Sequence, residues 1–138
     1  MVIKMKDYER KAYYHETDQM QIIHHANYVK WLEEARIDFM DQLGFSYFEM
    51  EKRNILSLVL QIELNYKNPV KFNDTVLIKI KVESYNGVKL ELSYEIINKA
   101  TNVLCVSAKS KHCFISNGKV VSLKKLLPEF HEKMLSLI

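Results

Sequence analysis

"HETDQMQIIHHANYVKWLEEARIDFMDQL", residues 15 to 43, changes character halfway along. Its first half gathers Glu16, Asp18, three histidines and three side-chain amides. Its second half is periodic. Tyr28, Leu32, Ala35, Phe39 and Leu43 recur three or four apart and mark one helical face. Trp31, Ile37 and Met40 widen that face, which predicts a helix over residues 26 to about 43 that is buried on several sides. Gly44 stands where a C-terminal cap belongs. Ionisable groups crowded before an apolar helix fit either a solvated loop or an active site at the mouth of a buried helix.

Outward from this helix the chain reads as strands. Residues 2 to about 14 alternate in part and predict a first strand. "FSYFEMEKRN" after Gly44 fits a short helical turn. "LSLVLQIELNYK" is a long extended run closed by Asn68-Pro69. "DTVLIKIKVESY" alternates, with Val76, Ile78, Ile80 and Val82 facing one way and Leu77, Lys79 and Lys81 the other. Asn86-Gly87 is a hairpin signal. "VKLELSYEII" and "VLCVSAKSKHCFIS" supply two more strands, and "SLKKLLPEFHEKMLSLI" an amphipathic helix interrupted at Pro128. Strands and helices do not alternate, so the pattern predicts an α+β chain with one antiparallel sheet against a central helix.

The chain has 138 residues, which suits a single domain over 1–138. Only three glycines and two prolines are present, which favours long elements and short turns. The net charge of +3 is small and the lysines are dispersed, which argues against a nucleic-acid partner. Cys105 and Cys113 fall on one extended segment, about 26 Å apart at strand rise, beyond disulfide reach. They read as reduced thiols. Neither a signal peptide nor a membrane span is legible, so a cytoplasmic protein is expected.

Glu16, Thr17, Asp18, Ile22, Ile23, His24, His25, Ala26, Tyr28, Trp31, Glu33, Ala35 and Arg36 together resemble a family signature. It is that of the 4-hydroxybenzoyl-CoA thioesterase-like acyl-CoA thioesterases. "NYKNPVKFNDTVLI" resembles the strand and turn that follow in that family. The resemblance covers most of the chain except the last helix. It implies the hotdog fold, in which an antiparallel sheet wraps one long helix. It also implies hydrolysis of an acyl-CoA thioester without metal or organic cofactor. The expected assembly is a homodimer, often paired into a homotetramer, with acyl pockets between subunits.

The resemblance assigns roles by position. Asp18 would be nucleophile or general base, two routes that the sequence leaves open. The backbone N–H of His25 would polarise the thioester carbonyl at the helix N-terminus. Gln21, His24 and Tyr28 would border the substrate. Each has a structural alternative. Asp18 could serve the helix N-terminus as a capping carboxylate. The His25 side chain could simply bond backbone, and Tyr28, Trp31 and Phe39 could be core. Glu33 and Glu34 on the helix are the alternative catalytic carboxylates, although Glu33 and Arg36 are spaced to pair. A metal at His15, Asp18, His24 and His25 is not expected, because neighbouring histidines point apart in a helix or strand.

One position departs from the family. Gln21 stands where glycine is usual. A side chain disfavours positive φ, so Gln21 is expected at negative φ, beside the pocket mouth. An acyl-carrier-protein thioester, or acyl-CoA binding without turnover, are the rival functions. The signature does not resemble that of the dehydratases.

Overall fold

The computed structural model describes residues 4–138. Strand β1 is Tyr8–Lys11, shorter than the run expected over residues 2 to 14, whose first two positions lie outside the described residues. The backbone leaves the sheet early because Glu16 pulls it away. The Glu16 carboxylate accepts the Tyr13 N–H at 2.9 Å, and Tyr14–Glu16 closes a 3-10 turn.

The central helix α1 is Asn27–Gln42. Tyr28, Leu32, Ala35, Phe39 and Leu43 are all buried, as are Trp31 and Met40. Ile37 is not; it is 36% exposed, because a helix resting on one sheet is covered mainly on one side within a single chain. Gly44 takes φ +88° as the helix ends. Helix α2, Tyr47–Lys52, follows, capped by the Ser46 hydroxyl accepting the Glu49 N–H at 3.1 Å.

The sheet is built from β2 (Leu56–Tyr66), β3 (Thr75–Tyr85), β4 (Lys89–Asn98) and β5 (Leu104–Ser116), with a short β6 (Lys119–Val120). Its order is β1-β3-β4-β5-β2, with β6 on β5, and every pairing is antiparallel. Alternation sorts the faces. Val76, Ile78 and Val82 of β3, Leu90, Leu92, Tyr94 and Ile96 of β4, and Val106, Ala108 and Phe114 of β5 are buried in one core with α1. Lys79 and Lys81 face outward, and Lys111 reaches Glu91 at 3.6 Å across that outer face. Cys105 and Cys113 are both buried and free. Helices α3 (Leu123–Leu126) and α4 (Pro128–Leu135) divide at Pro128 and bury Leu123, Leu127, Phe130 and Met134. Among the described residues no helix is long and apolar enough to cross a membrane.

Strand β2 ends the sheet, and Leu56, Leu58, Val59 and Leu60 along it are each 45–50% exposed. A β-bulge interrupts its pairing between Val59 and Gln61.

The expected pair on the helix does not form. Glu33 is exposed and Arg36 buried, so they do not pair on the surface. Arg36 points into the core and donates from Nη1 to the Tyr94 hydroxyl at 3.2 Å. Glu34 is held instead by Arg10 (Nε to Oε1, 2.7 Å) and by the Tyr8 hydroxyl at 3.0 Å.

Arg10 also bonds Glu16 at 2.5 Å, and Trp31 Nε1 donates to the same carboxylate at 2.8 Å. Burial alone would raise the Glu16 carboxyl, but Arg10, Trp31 and the Tyr13 N–H hold it below its usual value. Glu16→Ala is expected to destabilise the fold by about 3 kcal/mol, because it leaves the Trp31 and Tyr13 N–H donors without their acceptor and Arg10 with Glu34 as its one carboxylate partner. Urea unfolding measures this. Because the carboxyl is lowered in the fold, its stabilisation is complete above the unfolded pKa and lost as pH falls through the folded one. The variant should therefore lose less stability in acid than the wild type.

Candidate active site

The loop between the 3-10 turn and α1 is a small hairpin. Asp18 N–H donates to Ile22 C=O at 2.9 Å, and Gln21 N–H to Asp18 C=O at 3.0 Å. Thr17 and Ile23 form a bridge, and Ile23 N–H donates to Val70 C=O at 2.8 Å. These bonds fix the reversal and over-determine its geometry. Gln21 therefore sits at φ +65°, contrary to the negative value expected for a residue with a side chain. The position takes the left-handed conformation that favours glycine, and Gln21 adopts it under strain. Its side chain is exposed and lines no wall of the adjoining cavity.

Asp18 does not cap α1. Ala26 is the N-cap residue, without a side-chain hydrogen bond, and the first turn holds no acidic residue. One oxygen of Asp18, Oδ1, accepts the Met20 N–H at 2.8 Å. Among the described residues Oδ2 has no partner. The backbone before α1 leaves one donor open. His24 N–H is used by Glu16 C=O at 2.9 Å, and Ala26 N–H by His24 Nδ1 at 3.2 Å. Between them, the His25 N–H meets no acceptor among the described residues.

His24 and His25 do not point apart. They lie in a turn rather than a helix or strand, and their rings stack with centroids 4.3 Å apart. Even so, among the described residues no group of three or more His, Cys, Asp or Glu side chains is placed to hold a metal. The His25 ring also meets Tyr66 edge-on at 6.3 Å, and the Tyr66 hydroxyl donates to His25 C=O at 3.3 Å. Tyr28 is buried, and its hydroxyl accepts the Val70 N–H at 3.3 Å. Burial pushes the phenol up to about 12, so it stays neutral.

Asp18, His25 and Tyr28 line one cavity of ≈ 340 Å³ together with Ile22, Tyr66 and Lys67, closed by Asn68-Pro69. Two residues expected at the substrate, Gln21 and His24, are not in its wall. His24 instead supports the His25 ring. The carboxylates of α1 are absent from the wall too: Glu34 is tied to Arg10, and Glu33 is exposed. Sequence reasoning missed Tyr66 and Lys67. They lie about forty positions from the loop, and their signals were the Asn68-Pro69 strand end and the resemblance of "NYKNPVKFNDTVLI" to the family's following strand.

The family whose model matches residues 14–135 is the Thioesterase-like superfamily. The chain belongs to it. This thioesterase is 38% identical over 125 residues to a putative acyl-CoA thioesterase, YneP, of Bacillus subtilis, covering 89% of the chain and 90% of the relative. A DHNA-CoA thioesterase structure from Staphylococcus aureus superposes with a TM-score of 0.87 at 36% identity, over 92% of this chain and 86% of that one. A hypothetical protein from Aquifex aeolicus aligns with a TM-score of 0.85 at 30% identity, over 91% and 98% of the two chains. The curled antiparallel sheet around α1 is the hotdog fold, and the chain is a thioester hydrolase. The match reaches residue 135 and so includes α3 and α4, which the signature in the sequence did not cover.

The strained loop residue can be relieved. In this thioesterase Gln21→Gly is expected to raise stability by about 1 kcal/mol, the steric penalty at positive φ less the added chain entropy of glycine. A higher urea midpoint with unchanged slope is the expected result.

Proposed function

We propose that the protein hydrolyses acyl-CoA thioesters with Asp18 as the carboxylate of catalysis. The observation that carries this reading is that Asp18 and His25, whose backbone N–H is open, line the same cavity. In the general-base route, Asp18 takes a proton from water as its oxygen bonds to the thioester carbon. The carbonyl oxygen becomes an oxyanion held by the His25 N–H, a donor typically worth about 3 kcal/mol of barrier. The C–S bond then breaks, and the thiolate recovers the proton to leave acid and free CoA thiol. In the nucleophilic route, Asp18 Oδ2 attacks the carbon itself and water cleaves the resulting anhydride. Neither route calls for a metal or an organic cofactor. Ile22, Tyr28 and Tyr66 would receive the acyl group, with Gln21 and His24 shaping the loop around it. The buried free thiols Cys105 and Cys113 suit a reducing, cytoplasmic setting.

Asp18→Asn keeps the shape and removes the charge. It is expected to lower kcat at least about 100-fold with little change in KM. Thiol release from a panel of aryl- and alkyl-CoA thioesters, 1,4-dihydroxy-2-naphthoyl-CoA among them, measures this. Equal turnover by the variant would remove Asp18 from the mechanism.

The working unit is a homodimer through β2, which pairs further into a homotetramer. Support comes from its unpaired apolar edge, which is 11 residues long and ends at the pocket residue Tyr66. Leu58→Lys together with Leu60→Lys should yield monomers by light scattering and lower activity. A wild type that is monomeric at micromolar concentration would overturn the assembly.

A further inference from the structure

The strand end that closes the cavity at Asp18 continues past it. Lys67, Asn68 and Pro69 line the cavity, and Val70 turns into the core. Lys71 forms a bridge with Ile22, itself a wall residue. Phe72 follows and is 51% exposed. Beside it runs the segment after β1. Asn73 N–H donates to Ala12 C=O at 3.0 Å, and Ala12 N–H to Asp74 C=O at 2.8 Å. That pairing brings Tyr14 against Phe72, edge to face, with ring centroids 5.5 Å apart and planes at 90°. Tyr14 is 74% exposed.

Neither ring is part of the core, so most of their apolar area stays in water. An edge-to-face contact covers one ring face and leaves the others free. Lys67 and Lys71 are exposed as well, and among the described residues neither makes an ion pair. Asp74, the acid nearest to Lys71 along the chain, accepts the Lys71 backbone N–H through Oδ2 at 2.9 Å and does not pair with its ammonium. Open aromatic faces beside two unpaired cations match the chemistry of a purine nucleotide.

We propose that the nucleotide end of CoA docks here, with the adenine stacked on the Tyr14–Phe72 pair and the phosphates held by Lys67 and Lys71. This rests on the acyl-CoA reading above and adds the groups that hold the carrier. Aromatic faces accept any base by stacking, and an ammonium is a point charge suited to phosphate. Position selects CoA. Phe72 lies one strand spacing and one residue from Ile22, about 8 Å along the backbone. The pantetheine arm reaches roughly 16 Å when extended, by comparison with a peptide backbone of equal bond count. A thioester at Asp18 and an adenine at Phe72 can therefore be held at once. An acyl-carrier-protein thioester brings no purine and would leave the aromatic pair unused.

Acyl-phosphopantetheine carries the same arm without the adenosine, and it is the probe. With one acyl group on both carriers, the wild-type KM should be at least about tenfold lower for the acyl-CoA, with kcat alike. Phe72→Ala and Lys71→Ala should each raise KM for acyl-CoA and bring the two carriers together. Lys71→Ala should also flatten the rise of KM with salt. A residue needed only for folding would shift both carriers equally. Adenosine 3′,5′-bisphosphate should inhibit the wild type competitively against acyl-CoA; if a variant does not fold, its binding to the wild type by calorimetry decides. Equal wild-type KM for the two carriers, or a preference for acyl carrier protein, would overturn the nucleotide site and leave Asp18 in its role. If neither carrier is hydrolysed, the catalytic reading fails instead. The nucleotide site then stands if calorimetry shows that the bisphosphate binds, and falls if it does not.

Discussion

Glu16 is the residue on which both the fold and the site depend. Its carboxylate draws together Arg10 from β1, Trp31 from α1 and the backbone of Tyr13. Its carbonyl meanwhile accepts the His24 N–H and the Asn27 side chain at 2.8 Å. One residue thus anchors the first strand to the central helix and sets where that helix begins. The His25 N–H owes its position to this clamp, because its neighbour His24 is fixed by Glu16. A carboxylate in so buried a place is tolerable only because every oxygen is matched by a donor and the charge by Arg10.

The same clamp explains how the loop carries strain. Hydrogen bonds on either side of Gln21 close the reversal, so the residue between them has no freedom to choose its φ. Asp18 sits at the start of this reversal with one oxygen tied to Met20 N–H, and the residue lines the cavity. Rigidity here has a chemical use. The proposed mechanism has a carboxylate and an N–H donor acting on one carbonyl, and such a pair cannot be carried on a loop that wanders. The opposite wall is supplied from the far end of β2, where Tyr66 bonds the His25 carbonyl.

Within the core the balance is different. Most of the face that α1 presents is apolar, but Arg36 enters it and is met by a file of hydroxyls and one imidazole. A polar chain of this kind has a direction, since its first member can only donate. Tyr94 accepts from Arg36 and donates onward to Ser110, which makes His112 Nε2 the acceptor at the end of the file.

The sequence by itself determined the elements and the family. Period-3.6 spacing from Tyr28 to Leu43, alternation through β3 and β4, and the Glu16-to-Arg36 signature are local patterns, set by which side of an element must leave water. Asp18 and His25 were singled out by that signature, and the structure brings both to one cavity. What the tertiary structure decided are relations between distant residues and between bonds. Gln21 is left-handed because two hydrogen bonds leave it no other φ, against its intrinsic preference. Arg36 is buried because Tyr94 and Ser110 wait for it on β4 and β5, where surface pairing with Glu33 would have satisfied its spacing alone. Tyr66 reaches the site because β2 runs back along the sheet and delivers its end beside His25. Each of these rests on a partner supplied by another element, and no periodicity within one segment encodes that partner.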